Sequence, residues 1–344
     1  MKRLRVAFET QFASGMPTGL GVYAQKLANA LAARPDIDLD ELRDDAYDVW
    51  RFDRRVYWDQ VRAPLLARAS RADIVHFTGG TLPLWAPHPC VLTLHDLAWL
   101  HGAVTGRLHS RLYFSTIQRR LARQADMIVT DTDVARADII ERLGLPSAKV
   151  AVTGAAVDDS WFETPRAPRN PPMLLSVGTV EERKDLITAV RALAVLPGFR
   201  LVSAGPRTTY AKRVMHVAAD LGLADRVELL GFVDDADLRS LYARATALVF
   251  PSTYEGFGLP PLQALAVGLP VVAADIPVLR EVLGDCALFA RPSDPGSFAD
   301  GVRAAAKSDS VVRDVIERGR THARKFTWDR VAERTVNLYR EVLR

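Results

Sequence analysis

Residues Phe250 to Asp275 read FPSTYEGFGLPPLQALAVGLPVVAAD. Thr246 to Phe250 is an apolar run that predicts a buried strand. Glu255-Gly256-Phe257-Gly258 follows its carboxyl end. Pro260 and Pro261 suit a first helical turn, where no N–H is needed and φ is already set. Leu262, Leu265 and Ala266 give that helix an apolar stripe. Gly268 supplies a left-handed stop and Pro270 blocks continuation. Val271 to Ala274 is then the next strand. A loop with backbone N–H groups at a helix start, past the end of a parallel strand, is a place to hold an anion. Glu255 stands in that loop, so the expected ligand is a phosphate with something hydroxylated attached.

The same alternation of strand and helix extends in both directions. Upstream, strands are expected at Arg5 to Phe8, Ile74 to Phe77, Val91 to Leu94, Met127 to Thr130 and Val150 to Thr153, with a helix near Leu20 to Ala33. A second set starts at Leu174, with strands at Leu174 to Val177, Arg200 to Ala204, Val227 to Leu230, Ala247 to Phe250 and Val271 to Ala274. Between the sets lies TPRAPRNPP, Thr164 to Pro172, rich in proline and poor in apolar residues, which reads as the linker. Asp36 to Asp59 has mixed charges and no clean period, and reads as a connection with some helix. Two such sets imply an α/β chain of two doubly wound, Rossmann-like domains facing across a cleft. The expected division is 1–165 and 166–327, with an amphipathic last helix, 328–344, packing back on the first domain.

Bulk properties agree with this. The chain has 344 residues, 49% hydrophobic and 25% charged, the balance of a soluble globular protein of about two domains. No apolar run reaches the ~20 residues that span a bilayer. Val6-Ala7-Phe8 is too short for a signal-peptide core. Cys90 and Cys286 stand far apart, outside any metal-spaced cluster, and fit a reducing cytoplasm. A net charge of +4 suits anionic ligands or a membrane surface, and no lysine-rich tract argues for nucleic acid.

Several strand-end loops carry candidate chemistry. Gly19-Leu20-Gly21 opens a helix where glycines let backbone approach a ligand, although an ordinary tight turn uses them equally well. His95, in Thr93-Leu94-His95-Asp96-Leu97, could donate to a substrate hydroxyl or a developing charge. A lone strand-end histidine is more often bonded to backbone, and His76, inside an apolar strand, reads as a core residue. In SVGTVEERKDL, Ser176 to Leu186, Gly178 clears space and presents Arg183 and Lys184 near a helix start. Two cations there oppose the macrodipole, a conflict an anionic ligand removes. Gly231-Phe232-Val233 could seat a flat base, or be a plain loop. The segment Arg107 to Arg123 reads as an amphipathic basic helix, either a solvated face or a surface for anionic lipid.

Taken together, SVGTVEERKDL, TLHDL and the long run LLGFVDDADLRS through PVVAAD resemble the retaining glycosyltransferases of family 4, which have the GT-B fold. The resemblance covers nearly the whole chain and extends to bacterial surface-polysaccharide mannosyltransferases. It implies a nucleotide-sugar donor, GDP-mannose or a related GDP-sugar favoured, on the second domain. A glycan or lipid-linked glycan acceptor is implied on the first. By resemblance, Arg183 and Lys184 hold the donor diphosphate and Glu255 contacts the sugar hydroxyls. The N–H groups of Phe257, Gly258 and Leu259, after Gly256, complete that seat. Phe232 and Val233 belong to the base loop, His95 reaches the donor sugar, Gly19 and Gly21 lie near the diphosphate, and Gly178 is expected among the donor-binding residues. The family motif has a second glutamate eight positions after the first, for the ribose. Here that position is Gln263, which keeps an acceptor oxygen but loses the charge-assisted pair. Asp185 stands where asparagine is commoner.

The expected reaction is therefore retaining hexosyl transfer, mannose-like, in cell-surface polysaccharide synthesis. It needs neither metal nor cofactor, and the protein is expected in the cytoplasm or at the inner face of the plasma membrane. The rivals are a non-catalytic nucleotide-sugar-binding protein, encouraged by Gln263, and a Rossmann oxidoreductase, which wants a GxGxxG fingerprint not clear here.

Overall fold

The computed structural model describes residues 3–14, 18–100, 113–167, 170–307 and 310–344. The chain divides into two compact units, Met1–Ala156 with Thr327–Arg344, and Val157–Phe326. The proline-rich stretch read as the linker falls inside the second unit.

The first unit is built on six strands: β1 (Leu4–Glu9), β2 (Ile37–Leu42), β3 (Ile74–Phe77), β4 (Cys90–Thr93), β5 (Met127–Thr130) and β6 (Val150–Val152), in the order β2-β1-β3-β4-β5-β6. Every pairing is parallel. β3, β4 and β5 are buried at every residue, which is why they read as unbroken apolar runs rather than alternations. β2 corrects the sequence reading, which made this region a connection. IDLDEL pairs on one side only, at the sheet edge, and buries just Ile37 and Leu42, so no apolar run marks it. The helix Trp328–Val342 belongs to this unit and buries Val331, Ala332, Thr335, Val336, Leu338 and Tyr339. Its Tyr339 hydroxyl lies 2.5 Å from His76 Nδ1, and His76 Nε2 lies 2.7 Å from Thr93 Oγ1. His76 is thus a core residue bonded at both nitrogens.

The second unit repeats the plan with β7 (Met173–Val177), β8 (Arg200–Ala204), β9 (Val227–Gly231), β10 (Ala247–Phe250), β11 (Val271–Ala274) and β12 (Leu288–Ala290), ordered β12-β11-β10-β7-β8-β9 and all parallel. β12 is a second short edge strand that sequence reading passed over. The chain leaves β7 toward β8 and leaves β10 toward β11, in opposite directions. The adjacent carboxyl ends of β7 and β10 therefore form a topological switch point, where open parallel sheets bind ligands. The loop after β10 feeds the helix Leu259–Val267. It enters through Gly258 at φ 104° and leaves through Gly268 at φ 78°. Leu269 N donates to Ala264 O at 2.8 Å, closing the helix end.

Candidate functional site

The switch point gathers three of the expected residues. The loop after β7 makes a short turn, Glu182–Lys184, before the helix Leu186–Leu193, and the loop after β10 carries Glu255. Lys184 Nζ lies 2.5 Å from Glu255 Oε1, and Arg183 Nη1 lies 3.2 Å from Glu255 Oε2. Arg183 Nη1 also donates to Tyr254 O at 2.9 Å, and its Nε pairs with Glu181 at 2.8 Å. The macrodipole conflict seen in the sequence is thus met first from within, by Glu255 and Glu181. Burial pushes the Glu255 carboxyl up, but the charges of Lys184 and Arg183, with hydrogen bonds from Lys184 and Ser252, outweigh it and hold it below the usual range. Glu255 is thus a nearly buried carboxylate clamped between two cations.

The surrounding backbone is arranged to permit this. A Cβ on Gly178 would make ordinary contact with the Lys184 stem, 3.4 Å from Cε, so it is the φ of 136° rather than lack of space that calls for glycine there. A Cβ on Gly205 would fall 2.1 Å from Gly178 O, which locks the loops after β7 and β8 together. Asp185 has φ 45° and accepts from Thr188 Oγ1 and Ser293 Oγ, both at 2.8 Å. Its departure from asparagine keeps the acceptor oxygen that this turn uses, and short Asx side chains tolerate the left-handed region. In the helix after Gly258 the second and third residues are prolines, so the backbone donors at its start come from Phe257, Gly258 and Leu259.

The remaining expected residues lie further out. Gly231 ends β9, two strands from β7, and Phe232, just past it, is 40% exposed. Gln263, in the second turn of its helix, has Oε1 3.3 Å from the buried Tyr242 hydroxyl. Gly19 is exposed, with nothing within 4 Å of the Cβ it lacks. Gly21 has a structural reason, because its Cβ would fall 2.1 Å from Phe12 O.

In the first unit, His95 follows β4 and Asp131 follows the neighbouring β5. His95 Nδ1 lies 2.6 Å from Asp131 Oδ2, so its partner is a carboxylate, not the backbone. Burial pushes the imidazole pKa down, but the charge and hydrogen bond of Asp131, with the charge of Asp96, raise it overall. Tyr23, from the helix Gly19–Ala32, sets its ring edge-on to His95 with centroids 4.5 Å apart. Sequence reading missed Asp131, Tyr23, Gly205 and Ser252. For Asp131 the signal was there: Thr130-Asp131-Thr132 closes a strand as His95-Asp96 does.

Two other clusters are accounted for internally. Glu9 accepts from Trp58 Nε1 at 2.6 Å and from Thr78 N and Gly79 N at 2.9 Å. Contrary to the expectation for Cys90, the fold brings it beside His88 and Asp126, with ligand-type atoms within 4.8 Å of one another. Asp126 Oδ2 already holds His88 Nδ1 and Cys90 N at 2.7 Å, and burial pushes the thiol up to about 12. Of the expected basic helix, residues 107–112 lie outside the described residues. Arg119 and Arg123 donate to Arg142 O and Leu143 O, both at 2.8 Å, capping the end of the helix Asp133–Leu143.

Comparison with known proteins agrees with this architecture. A model described as "Glycosyltransferase Family 4" matches residues 17–161, and one described as "Glycosyl transferases group 1" matches residues 157–322. The chain is 32% identical over 234 residues to O-antigen chain mannosyltransferase B of Escherichia coli, covering 63% of this chain and 61% of that relative, under two thirds of its length. It is 28% identical over 282 residues to O-antigen chain mannosyltransferase RfbU of Salmonella typhimurium, 82% of this chain and 76% of the relative. Among solved structures it is similar to a sucrose-phosphate synthase from Thermosynechococcus elongatus, with a TM-score of 0.77 at 19% identity over 99% of both chains.

Proposed function

The chain belongs to the retaining glycosyltransferases of family 4 and has their GT-B fold, and from that premise we propose that it moves a mannose-like hexose from a nucleotide sugar to a glycan or lipid-linked glycan in cell-surface polysaccharide synthesis. The observation that carries this reading is the Arg183–Lys184–Glu255 cluster at the β7/β10 switch point. As the C1–O bond of the donor stretches, its electron pair passes to the leaving diphosphate oxygen. Arg183 and Lys184 stabilise that charge where it develops, a preorganised electrostatic effect. The acceptor oxygen then bonds to C1 on the same face, and its proton passes to the leaving phosphate, so configuration is retained. Glu255, released from the cations by the diphosphate, is free to accept from the sugar hydroxyls. In this reading the two cations meet the leaving-group charge and no metal is assigned a role.

The names of the two relatives favour mannose, and hence GDP-mannose as donor. Binding of the donor to the second unit and of the acceptor to the first belongs to the same proposal. So does placement in the cytoplasm or at the inner face of the plasma membrane. Among the described residues no helix is long and apolar enough to cross a membrane.

A thermal-shift panel tests the donor. GDP and GDP-mannose are expected to raise the melting temperature more than UDP, ADP or NAD, because a ligand stabilises in proportion to RT ln(1 + [L]/Kd). Transfer from the donor selected in this way is then expected to fall by roughly 100-fold or more in Lys184→Ala, the scale of losing one preorganised charge stabiliser. Unchanged transfer would remove the diphosphate assignment. A shift with NAD alone would remove the whole reading.

A further inference from the structure

The hydrogen bonds that satisfy His88, Cys90 and Asp126 also gather three donors of different chemistry. An imidazole nitrogen, a thiol sulfur and a carboxylate oxygen converge, no two of them more than 4.8 Å apart. His88 Nδ1 lies 2.7 Å from Asp126 Oδ2 and 3.8 Å from Cys90 Sγ. Tetrahedral zinc, with bonds of about 2.0–2.3 Å, sets neighbouring ligand atoms about 3.4–3.6 Å apart. The donors therefore need to shift by only roughly an ångström, and His88 and Asp126 are exposed and free to turn. The backbone beneath them is fixed by bonds that do not depend on a ligand. Asp126 N donates to Cys90 O at 3.0 Å, Val75 N donates to Pro89 O at 3.1 Å, and Cys90 N donates to Asp126 Oδ2 at 2.7 Å. Packing at residue 90 asks only for a small apolar side chain. A sulfur beside an imidazole nitrogen adds nothing to that packing, and it completes a donor set.

We propose that His88, Cys90 and Asp126 bind one divalent cation of the zinc class, with water as the fourth ligand. Mixed nitrogen, sulfur and oxygen donors in a four-coordinate arrangement suit zinc, whereas magnesium and calcium take more ligands and want oxygen. Buried Cys90 forms the inner wall, and the two exposed residues form the mouth through which the cation enters. As sulfur bonds the metal, the thiol proton passes to water. His88 binds through Nδ1 as a neutral ring with its proton on Nε2. Thiolate and carboxylate together cancel the charge of the cation, so the loaded site is neutral. Lys149, the cation whose charge reaches Cys90 and Asp126, is engaged with Arg123 O at 2.7 Å. His88 and Cys90 stand where the chain enters β4, and Asp126 stands where it enters the neighbouring β5. The metal would tie these two entries together. His95 and Asp131 lie past the other ends of the same strands, roughly 10 Å or more away along four residues. No step of transfer is assigned to the cation.

The experiment uses the full chain without an affinity tag and zinc itself as the probe. Competition with a chromophoric chelator is expected to show one Zn2+ per chain, with a Kd in the micromolar range or tighter. His88→Ala and Cys90→Ser are each expected to weaken binding by at least about 100-fold, more than the loss of a partner outside the ligand set. Co2+ in place of zinc is expected to give a near-ultraviolet thiolate-to-cobalt band that persists in Cys286→Ser and vanishes in Cys90→Ser. His88 is on the surface, so His88→Ala tests the site even where Cys90→Ser fails to fold. Zinc in about 100-fold excess over Kd is expected to raise the melting temperature of wild type by roughly 5 °C or more, and to leave that of His88→Ala unmoved. Absence of binding in the micromolar range, binding that His88→Ala leaves unchanged, or a cobalt spectrum without the thiolate band would overturn the proposal. No readout uses a sugar nucleotide, so the outcome is independent of the glycosyl-transfer reading.

Discussion

At Glu255 two opposite demands meet. Burial disfavours its charge, and Lys184 and Arg183 restore it. Breaking such a pair from one side leaves an uncompensated charge, which is why buried partners are costly to remove singly. Gln263 is the complementary case, an amide where a charge is expected, with Oε1 near the Tyr242 hydroxyl. If this position meets the donor ribose, Gln263→Glu supplies a charge-assisted hydrogen bond, roughly twice as strong as a neutral one. The expected outcome is a donor KM lower by about 3- to 10-fold with kcat nearly unchanged, measured at saturating acceptor. An unchanged KM would place residue 263 outside donor binding.

At the scale of elements, the site depends on how closely two strand-end loops approach. Gly205, at φ 147°, has Gly178 O where its Cβ would be, whereas Gly222, at φ 68°, has open space there. Both positions are strained for a residue with a side chain, but only the first also meets backbone that cannot yield. Gly222→Ala is expected to cost about 1 kcal/mol, and Gly205→Ala more than about 3 kcal/mol, read from urea unfolding. Equal losses would mean that the β7 and β8 loops are not locked as described. Local chemistry made much of this level legible. The proline pair and glycine stop of Leu259–Val267 announced that helix, and the buried strands announced themselves as apolar runs. The edge strands β2 and β12 did not: β2 buries only Ile37 and Leu42, and β12 is only three residues long.

At the scale of the whole molecule, the helix Trp328–Val342 is held in the first unit partly by Tyr339 against neutral His76. Burial depresses the His76 pKa to about 3, so the unfolded chain takes up a proton near pH 6.5 that the folded one refuses. The contribution of this residue is complete above about pH 6.5. It shrinks as the pH falls, by up to about 1.4 kcal/mol per unit, until the folded pKa is reached. His95, raised by Asp131, works the other way: its contribution is complete below the ordinary histidine range and fades as the pH rises through its folded value. Unfolding of His76→Gln is therefore expected to depend less steeply on pH between 6.5 and 4 than wild type. Two units need not unfold in one step, so the comparison belongs to the transition of the first unit.

Sequence alone determined the doubly wound class, the positions of most buried strands, and the strand-end loops that are candidate ligand seats. Those features are local: apolar runs, turn residues and motif spacing act over a few neighbours. It also singled out Arg183, Lys184, Glu255 and His95 one by one. Only the tertiary structure decided what these side chains do to one another. Glu255 and Lys184 are 71 residues apart in the chain, and His95 and Asp131 are 36 apart. Whether a charge is answered by a ligand or by a carboxylate of the protein itself depends on which strand ends are neighbours. The parallel order β11-β10-β7-β8 sets that in one unit and β3-β4-β5 in the other, through non-local pairings that no short stretch of sequence encodes.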